Sequence, residues 1–342
     1  MKKRSILITG GAGFVGSHLV ESLIEKGETN VTVVDKLIYP GRLDTLPNSI
    51  RKDPGFRFVR GDAGSKRLVS PLLKEVDSVV HLAAETHVDR SILEIESFVQ
   101  NDFVSTAHLY EALSRSKVQR IIQISTSEVY GSAQKTPMDE HHPLAPQSPY
   151  AATKAAADRL AYSFFRTYRL PVVILRLFNM YGPRQHPEKL IPFFTTNAIL
   201  GLPLYVYGDG EAERDWLWVK DGVALIEAGL QMENYASIIG KEINGGTGRS
   251  FSINWIGEKI LERLKKPKRL LKTHNDRPGH VVKLIASSER AKNILGWSAE
   301  KRFEEGLSET IDWYKNNPGF WKVRRNDGRF KEYTKSWYGK EL

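Results

Sequence analysis

The chain has 342 residues and contains no cysteine. Disulfides, thiolate metal sites and cysteine nucleophiles are therefore excluded. No apolar run reaches membrane-spanning length. The short apolar run near the N-terminus leads into glycines rather than into a cleavage site, so it does not resemble a signal peptide. Repeats and low-complexity tracts are also absent. These absences predict a soluble, cytoplasmic protein with no membrane partner.

The chain is basic, with a formal net charge of +10. Much of the excess lies in dispersed clusters within residues 263–272 and 322–340. No zinc-finger, RNA-binding or helix-turn-helix signature accompanies these clusters, so nucleic acid is not a predicted partner. An anionic small substrate and a merely basic surface both remain open. The adjacent His141 and His142 have no second ligand pair at useful spacing, and no metal site is predicted.

The first half of the chain alternates short β-branched runs with helical patterns. This rhythm predicts a parallel, doubly wound α/β sheet of the Rossmann type, with ligands at the carboxyl ends of its strands. The predicted strands are 5–9, 30–35, 56–61, 78–82, 120–125 and 171–177. The predicted helices are 15–26, 68–73, 98–116 and 150–168.

After residue 178 the rhythm breaks, which indicates a second, smaller α/β region that binds substrate. Residues 179–191 predict a structured loop and 208–215 a turn. Short strands are expected at 204–206 and 242–243, and helices at 192–200, 219–230, 253–264 and 288–295. We expect residues 1–178 to form the first region, with 216–243 returning to it, and 179–215 and 244–342 the second. The tail, 318–342, is predicted to dock, with its aromatic residues packed on a core edge or one of them reaching the substrate: Trp321, Tyr333, Trp337 and Tyr338.

A glycine-rich loop follows the first predicted strand. Gly10, Gly13 and Gly16 stand between that strand and the next helix, where glycine allows a tight turn and close approach of a pyrophosphate. Asp35 closes the second strand and is placed to accept hydrogen bonds from an adenosine ribose. A carboxylate there would repel a 2′-phosphate, which favours NAD over NADP, although the adjacent Lys36 is positively charged. Asp62 is a candidate adenine contact.

Tyr150 and Lys154 carry the chemistry. Residues four apart share one helix face, and a nearby ammonium lowers the pKa of a phenol. A phenolate is a base strong enough to take a hydroxyl proton. Upstream, Thr126 and Ser127 add hydroxyls and Glu128 adds a carboxylate. The set predicts alcohol oxidation followed by further proton transfer.

Several motifs together resemble the extended short-chain dehydrogenase/reductase superfamily and, within it, the dTDP-glucose 4,6-dehydratases. The resemblance runs from about residue 3 to the C-terminus. The superfamily motifs are TGGAGFVGSHL and SPYAATKA. The more particular motifs are HLAAETHVDRSI, ISTSEVYG, YGPRQHPEKLIP, VYGDGEAERDWLWV, NGGTGRS and DRPGH.

The resemblance implies a role for each matching residue. Tyr150 is the base, Lys154 its partner and a contact of the nicotinamide ribose, and Glu128 a second base. Thr126 bonds the 4-hydroxyl of the sugar. The other implied cofactor-binding residues are Phe14, Val15, Lys36, Ala63, His81, Leu82, Ala83, Ala84, Thr86 and Asn101. The other implied substrate-binding residues, for the diphosphate and nucleotide, are Asn179, Lys189, Leu190, Arg214, Asn244, Arg277 and His280.

Ser127 departs from the dTDP-glucose dehydratase pattern, which has an aspartate there as the acid for the departing 6-hydroxyl. Thr-Ser-Glu is similar to GDP-mannose 4,6-dehydratases and UDP-glucuronate decarboxylases. The expected reaction is therefore a nucleotide-sugar 4,6-dehydration. A C4-epimerase, a uronate decarboxylase and a non-catalytic NAD-binding sensor stay open as alternatives. The superfamily also implies a homodimer built on a four-helix bundle from 98–116 and 150–168.

Overall fold

The computed structural model describes residues 3–39 and 41–339. Residues 1, 2 and 40 of the predicted first region, and 340–342 of the predicted tail, lie outside the described residues. The strands are β1 Arg4–Thr9, β2 Thr29–Asp35, β3 Phe56–Arg60, β4 Ser78–His81, β5 Arg120–Thr126, β6 Val172–Leu177, β7 Asn179–Tyr181, β8 Leu204–Tyr207, β9 Glu213–Trp218, β10 Glu242–Gly245, β11 Ser250–Ser252, β12 Leu271–His274 and β13 Lys283–Leu284.

Helices connect these strands. They are α1 Phe14–Glu25, α2 Asn48–Arg51, α3 Lys66–Leu72, α4 Val88–Leu93, α5 Glu96–Phe98, α6 Ser105–Leu113, α7 Pro149–Tyr168, α8 Leu190–Leu200, α9 Val219–Gln231, α10 Ile253–Arg263, α11 Glu289–Leu295, α12 Phe303–Asn316, α13 Pro318–Arg325 and α14 Gly328–Tyr338. A π-helical segment, Val99–Val104, joins α5 to α6.

Seven parallel strands form the main sheet in the order β3-β2-β1-β4-β5-β6-β10. The predicted doubly wound α/β fold is thereby confirmed. One face buries an apolar cluster under α1 and α9, and the other face buries a second cluster under α3, α6 and α7. Burial on both faces explains why the central strands read as unbroken apolar runs rather than as alternating patterns. The chain returns to this sheet through α9 and β10.

The second region is built on shorter strands. In it, β9 pairs with β7, β11 and β13, while β12 pairs with β8. Two sequence predictions were wrong here: residues 179–181 are a strand rather than loop, and residues 213–215, predicted as the end of a turn, begin the strand β9. The reason is tertiary, because β9 is stabilised by three strands that come from distant parts of the sequence.

The tail packs against the second region as two helices, α13 and α14. Trp321, Phe330 and Tyr333 are buried there, as the docked-tail prediction required. No described helix is both long and apolar enough to cross a bilayer. Within the described residues, 3–39 and 41–339, no cluster of three or more potential metal-ligating side chains occurs.

Candidate active site

A cleft of about 460 Å³ runs along the carboxyl edge of the main sheet and extends under the second region. One part of the cleft, which we call the cofactor half, is lined by the turn after β1, the ends of β2, β4 and β5, and the start of α7. The other part, which we call the substrate half, is lined by the segment after β7, the strands β8 and β9, the loop before β13, and the helix α14. Parallel strands place all these ends at one edge.

The glycine loop forms one wall of the cofactor half. Gly10 has φ +74°, and a Cβ on it would lie 2.7 Å from the backbone nitrogen of Ala83. A Cβ on Gly16 would lie 2.3 Å from the carbonyl oxygen of Gly10. Only glycine fits these positions. The loop leads into α1, whose N-terminus has no side-chain cap and no acidic residue in its first turn. Its free N–H groups suit an anion.

Asp35, at the end of β2, is fixed by the backbone. Its carboxylate accepts hydrogen bonds from the N–H groups of Ala12 at 3.1 Å and Leu37 at 2.9 Å. The adjacent Lys36 turns its ammonium to Asp62 at 2.7 Å and to the side-chain oxygen of Asn101 at 2.6 Å. Since Asp62 neutralises Lys36, this lysine does not offer a free charge to a 2′-phosphate, which supports NAD.

The remaining predicted cofactor residues also line the cleft, with one exception. Those in place are Gly13, Phe14, Val15, Ala63, Leu82, Ala83, Ala84 and Thr86. The exception is His81, which is buried behind the cleft between the hydroxyls of Thr9 at 2.6 Å and Thr106 at 2.9 Å. Burial lowers the pKa of His81 to about 3. His81 was expected to line this strand end but lies away from the cleft, because alternate β4 side chains face opposite sides of the sheet.

Tyr150 and Lys154 reach the cleft from the first turns of α7. The helix begins in a fixed register, because the Ser148 hydroxyl accepts a hydrogen bond from the N–H of Ala151 and Pro149 occupies the first helical position. The backbone N–H of Tyr150 donates to the Ser91 hydroxyl at 3.1 Å. The spacing of four residues thus places both side chains on the cleft, as predicted.

The electrostatics of this pair differ from the prediction. Burial raises the pKa of Tyr150 above its ordinary value, and the hydrogen bond with the Thr126 hydroxyl only partly opposes it. The ammonium of Lys154 donates to the carbonyl oxygen of Ile124 at 2.9 Å instead of lowering the phenol pKa. The prediction of a lowered pKa was therefore wrong, because burial favours the uncharged phenol and the nearby carboxylates of Asp102 and Glu128 raise the pKa further.

A buried carboxylate that the sequence analysis missed lies behind the pair. Asp102, in the π-helical segment, accepts hydrogen bonds from the backbone N–H of Glu85 at 2.6 Å and from the Thr153 hydroxyl at 3.1 Å. Burial raises the pKa of Asp102 to about 7, with the Lys154 ammonium opposing the shift. The π-helical turn is what directs this side chain inward, and such turns are frequent at functional sites.

Thr126 ends β5 and lines the cleft together with Glu128. The Thr126 hydroxyl accepts a hydrogen bond from the N–H of Glu128 at 3.3 Å and so caps the short helical turn 127–130. Ser127 is only 1% exposed and does not line the cleft. The structure therefore does not bring Ser127 to the cleft, because the turn directs residue 127 inward and residue 128 to the cleft.

The guanidinium of Arg214, on β9, lies close to the carboxylate of Glu128. Its Nε lies 3.9 Å from Oε1 of Glu128. Burial lowers the pKa of Arg214 to about 10, and Glu128 opposes the shift. The Arg214 guanidinium is therefore still charged at neutral pH. It lies between Glu128 and the substrate half.

Most predicted substrate residues line the substrate half: Asn179, Lys189, Leu190, Arg214, Arg277 and His280. Asn244 does not. It is 0% exposed on β10, where it receives a hydrogen bond from the Tyr130 hydroxyl at 2.8 Å and donates to the carbonyl oxygen of Met138 at 3.0 Å. The assignment of Asn244 to the substrate site was wrong, because both ends of its amide already hold the packing of β10.

Among the residues that the structure describes, five buried side-chain polar atoms of the substrate half have no hydrogen-bond partner. They are Asn179 Oδ1, Gln185 Oε1, Glu188 Oε1, Trp216 Nε1 and Arg277 Nε. An unpaired buried polar atom costs free energy unless a ligand or water satisfies it. The two unmet donors, Trp216 Nε1 and Arg277 Nε, suit the anionic part of a ligand, and the three unmet acceptors suit its hydroxyl or N–H groups. Trp216 was missed in the sequence analysis, although alternation along β9 places it on the same side as Arg214.

The cofactor half fits NAD, with its diphosphate at the N-terminus of α1 and a ribose at Asp35. Comparison with known proteins agrees. The family model for GDP-mannose 4,6 dehydratase matches residues 7–310. A dTDP-glucose 4,6-dehydratase of an Actinoplanes species is 42% identical over 322 residues, which cover 92% of this chain and 99% of the relative.

Two solved structures extend the comparison. DesIV, a dTDP-glucose 4,6-dehydratase of Streptomyces venezuelae solved with NAD, is 37% identical, with a TM-score of 0.90 over 94% of this chain and 99% of the other. A UDP-glucuronic acid 4-epimerase of Bacillus cereus, solved with UDP-glucuronic acid and NAD, is 31% identical, with a TM-score of 0.86 over 91% of this chain and 99% of the other.

Proposed function

Because the chain belongs to the GDP-mannose 4,6 dehydratase family, we propose that it is an NAD-dependent nucleotide-sugar 4,6-dehydratase with dTDP-glucose as its first candidate substrate. The observation that carries the proposal is one cleft in which Tyr150, Thr126 and Glu128 lie between the glycine loop and Arg214. A hydroxyl-activating base, a second carboxylate base and an anion-binding arginine are what oxidation followed by elimination requires. The named relatives support the choice of sugar nucleotide.

The side chains divide the proton transfers. NAD, held by the glycine loop and Asp35, would supply a hydride acceptor for C4 and a hydride donor for C6. Tyr150 takes the proton of the 4-hydroxyl while Thr126 bonds the same oxygen. Because burial raises the pKa of Tyr150 and the ammonium of Lys154 donates to the Ile124 carbonyl oxygen, this step requires the ammonium to turn towards the phenol and stabilise its charged form. Each acid–base role is worth roughly 10²–10⁴ in rate. Arg214 and Arg277 hold the diphosphate, because guanidinium groups bind phosphate oxygens bidentately.

Glu128 carries both proton transfers of the elimination. The new ketone acidifies the C5 hydrogen, and the carboxylate of Glu128 takes it. The C6–O bond then breaks as a C5–C6 double bond forms, and Glu128 returns the same proton to the departing hydroxide as water. When hydride adds to C6, C5 takes a proton from solvent, and Tyr150 releases to solvent the proton that it took from the 4-hydroxyl. Because Ser127 is buried and does not line the cleft, the proposal assigns it no proton transfer.

Product masses test the reaction. The protein is incubated separately with the dTDP, UDP, GDP and CDP derivatives of glucose or mannose, and with UDP-glucuronate. The mass of each product is measured by mass spectrometry. Loss of one water from a hexose supports dehydration. An unchanged mass with inverted C4 would establish an epimerase instead, and loss of carbon dioxide would establish a decarboxylase. Absence of any conversion, with NAD bound, would favour a sensor.

The role of Glu128 is tested with a pair of neighbouring variants. Glu128→Gln is expected to stop water loss while slow oxidation at C4 persists, seen as NADH absorbance. Ser127→Ala is expected to keep the rate within a few-fold of the wild type. A loss of a hundredfold or more in Ser127→Ala would show that the serine is the acid after all.

We also propose a homodimer. Leu93 and Ile95, beside the start of α5, are 53% and 54% exposed. On α7, Ala152 and Ala156 are exposed as well, which leaves small residues where a second helix pair can approach. This surface is suited to a four-helix bundle. Light scattering should give twice the chain mass, and Ile95→Arg should give a monomer. A monomeric wild-type protein would refute the proposal.

A further inference from the structure

Asp89 is a buried carboxylate to which the mechanism above gives no role. It lies on α4, just beyond the end of β4, and is 4% exposed. It does not cap its own helix. That role belongs to His87, whose Nδ1 accepts from the N–H of Arg90 at 3.3 Å. The carboxylate of Asp89 faces the cleft instead.

Three groups from three separate elements donate to this carboxylate. The Arg277 guanidinium lies 3.0 Å from Oδ1. The hydroxyls of Tyr207, at the end of β8, and Tyr333, on α14, lie 2.7 Å and 2.9 Å from Oδ2. Burial by itself would raise the pKa of Asp89, but its cationic and hydroxyl neighbours offset this and hold the pKa below its ordinary value. Asp89 is therefore charged, and both of its carboxylate oxygens accept hydrogen bonds.

The bond to Arg277 orients one edge of the guanidinium and leaves another free. Nη1 of Arg277 is held by Asp89, whereas its Nε is buried without a hydrogen-bond partner in the cleft. A guanidinium fixed at one edge presents its remaining N–H groups in a set direction. An anion that enters the substrate half therefore meets an arginine that is already oriented.

The bonds to the tyrosines hold α14 against the same cleft. The Tyr207 hydroxyl also pairs with that of Tyr338, at 2.9 Å. The Tyr338 ring stacks on Phe193 and on Tyr205, with interplanar angles of 14° and 18°. Because the tail supplies this part of the cleft wall, a tether on the tail sets the shape of the substrate half.

We propose that Asp89 is a positioning residue that orients Arg277 and tethers helix α14, so that both are preorganised for the diphosphate of a nucleotide-sugar substrate. The inference rests on the proposed function, because it takes the ligand to be a nucleoside diphosphate.

The test measures binding of dTDP alone by calorimetry, in protein loaded with NAD. Asp89→Asn is expected to weaken dTDP binding by about tenfold to a hundredfold, in line with the loss of a charge-assisted bond. With turnover, KM should rise by a similar factor while kcat changes little. Cofactor content should stay at the wild-type value. Asp312→Asn, a surface carboxylate paired with Arg263, is the matched control and should change nothing.

A double-variant cycle shows whether Asp89 acts through Arg277. Once Arg277→Gln has been made, adding Asp89→Asn should weaken dTDP binding by no more than about twofold to threefold further. Fully multiplicative effects would overturn the proposal. If Asp89→Asn does not fold, Tyr333→Phe, which removes one donor, should still weaken binding by a few-fold, and wild-type affinity there would refute the tether.

Failure of the proposed function gives a different result. If the wild-type protein does not bind dTDP at all, the choice of nucleotide is wrong. If the wild type binds and Asp89→Asn binds equally well, only the role of Asp89 is wrong.

Discussion

The two halves of the cleft are built in opposite ways. In the cofactor half the polar side chains already bond to one another or to the backbone: Asp35 to two N–H groups, and Lys36 to Asp62 and Asn101. Among the described residues, five buried polar atoms of the substrate half have no hydrogen-bond partner, against one in the cofactor half, Ser125 Oγ. The protein itself therefore holds the charged side chains of the cofactor half, whereas more of the substrate half is left for a ligand to satisfy.

This difference suits a cofactor that is regenerated in every cycle and a substrate that must leave. A preformed site binds without further ordering cost. A site with unmet hydrogen bonds gains most from a ligand that supplies all of them, and discriminates against one that does not. Four predictions separate the halves.

The largest effect is expected where the halves meet. Tyr150→Phe removes the phenol oxygen and keeps the ring, so kcat should fall by roughly 10²–10⁴-fold. Binding of NAD and of dTDP should both persist, as measured by calorimetry. Tyr162→Phe, on the outer part of the same helix, is the control. Near-normal turnover in Tyr150→Phe would remove the phenol from the mechanism.

Arg214→Gln tests the substrate half alone. Loss of the guanidinium should raise KM by about tenfold to a hundredfold, because a charge-assisted bond to phosphate is lost. NAD affinity should not change. The exposed Arg249 provides the control, since Arg249→Gln removes the same charge outside the cleft. A selective loss of NAD binding in Arg214→Gln would contradict the division into halves.

Asp35→Asn tests the cofactor half alone. Without the charge, NAD should bind about tenfold more weakly, and its advantage over NADP should shrink, because repulsion of a 2′-phosphate is removed. Binding of dTDP should not change. Fluorescence titration with each dinucleotide measures both effects. Asp53→Asn is the control, since that carboxylate also accepts a backbone N–H but lies away from the cleft.

The smallest effect concerns stability and pH. Because the pKa of Asp102 is raised in the folded state, to about 7, its contribution to stability is complete at low pH and is lost as pH rises through that value. Asp102→Asn does not titrate. The free energy of unfolding of the variant, relative to the wild type, should therefore increase by on the order of 1 kcal/mol from about pH 5 to about pH 8. Urea denaturation at the two pH values measures this change. A difference between variant and wild type that does not depend on pH would contradict the raised pKa of Asp102.

Sequence reasoning served the cofactor half better than the substrate half. The glycine loop, Asp35 and the Tyr150–Lys154 spacing are patterns within short stretches of chain, and each lies where it was predicted. Asn244 and Ser127 belong to matching motifs as well, yet their side chains are buried away from the cleft. A motif gives the residue type, but packing decides which way that residue points.

The sequence by itself determined the doubly wound sheet, the glycine turn and the helix face that carries Tyr150 and Lys154, because periodicity and spacing are local properties of the chain. Only the tertiary structure decided how the substrate half is assembled. Asp89 meets Arg277 across 188 positions and Tyr333 across 244 positions of sequence. Burial likewise raised the pKa of Tyr150, which spacing had predicted to fall. Contacts and desolvation of this kind depend on the whole fold, so no local pattern records them.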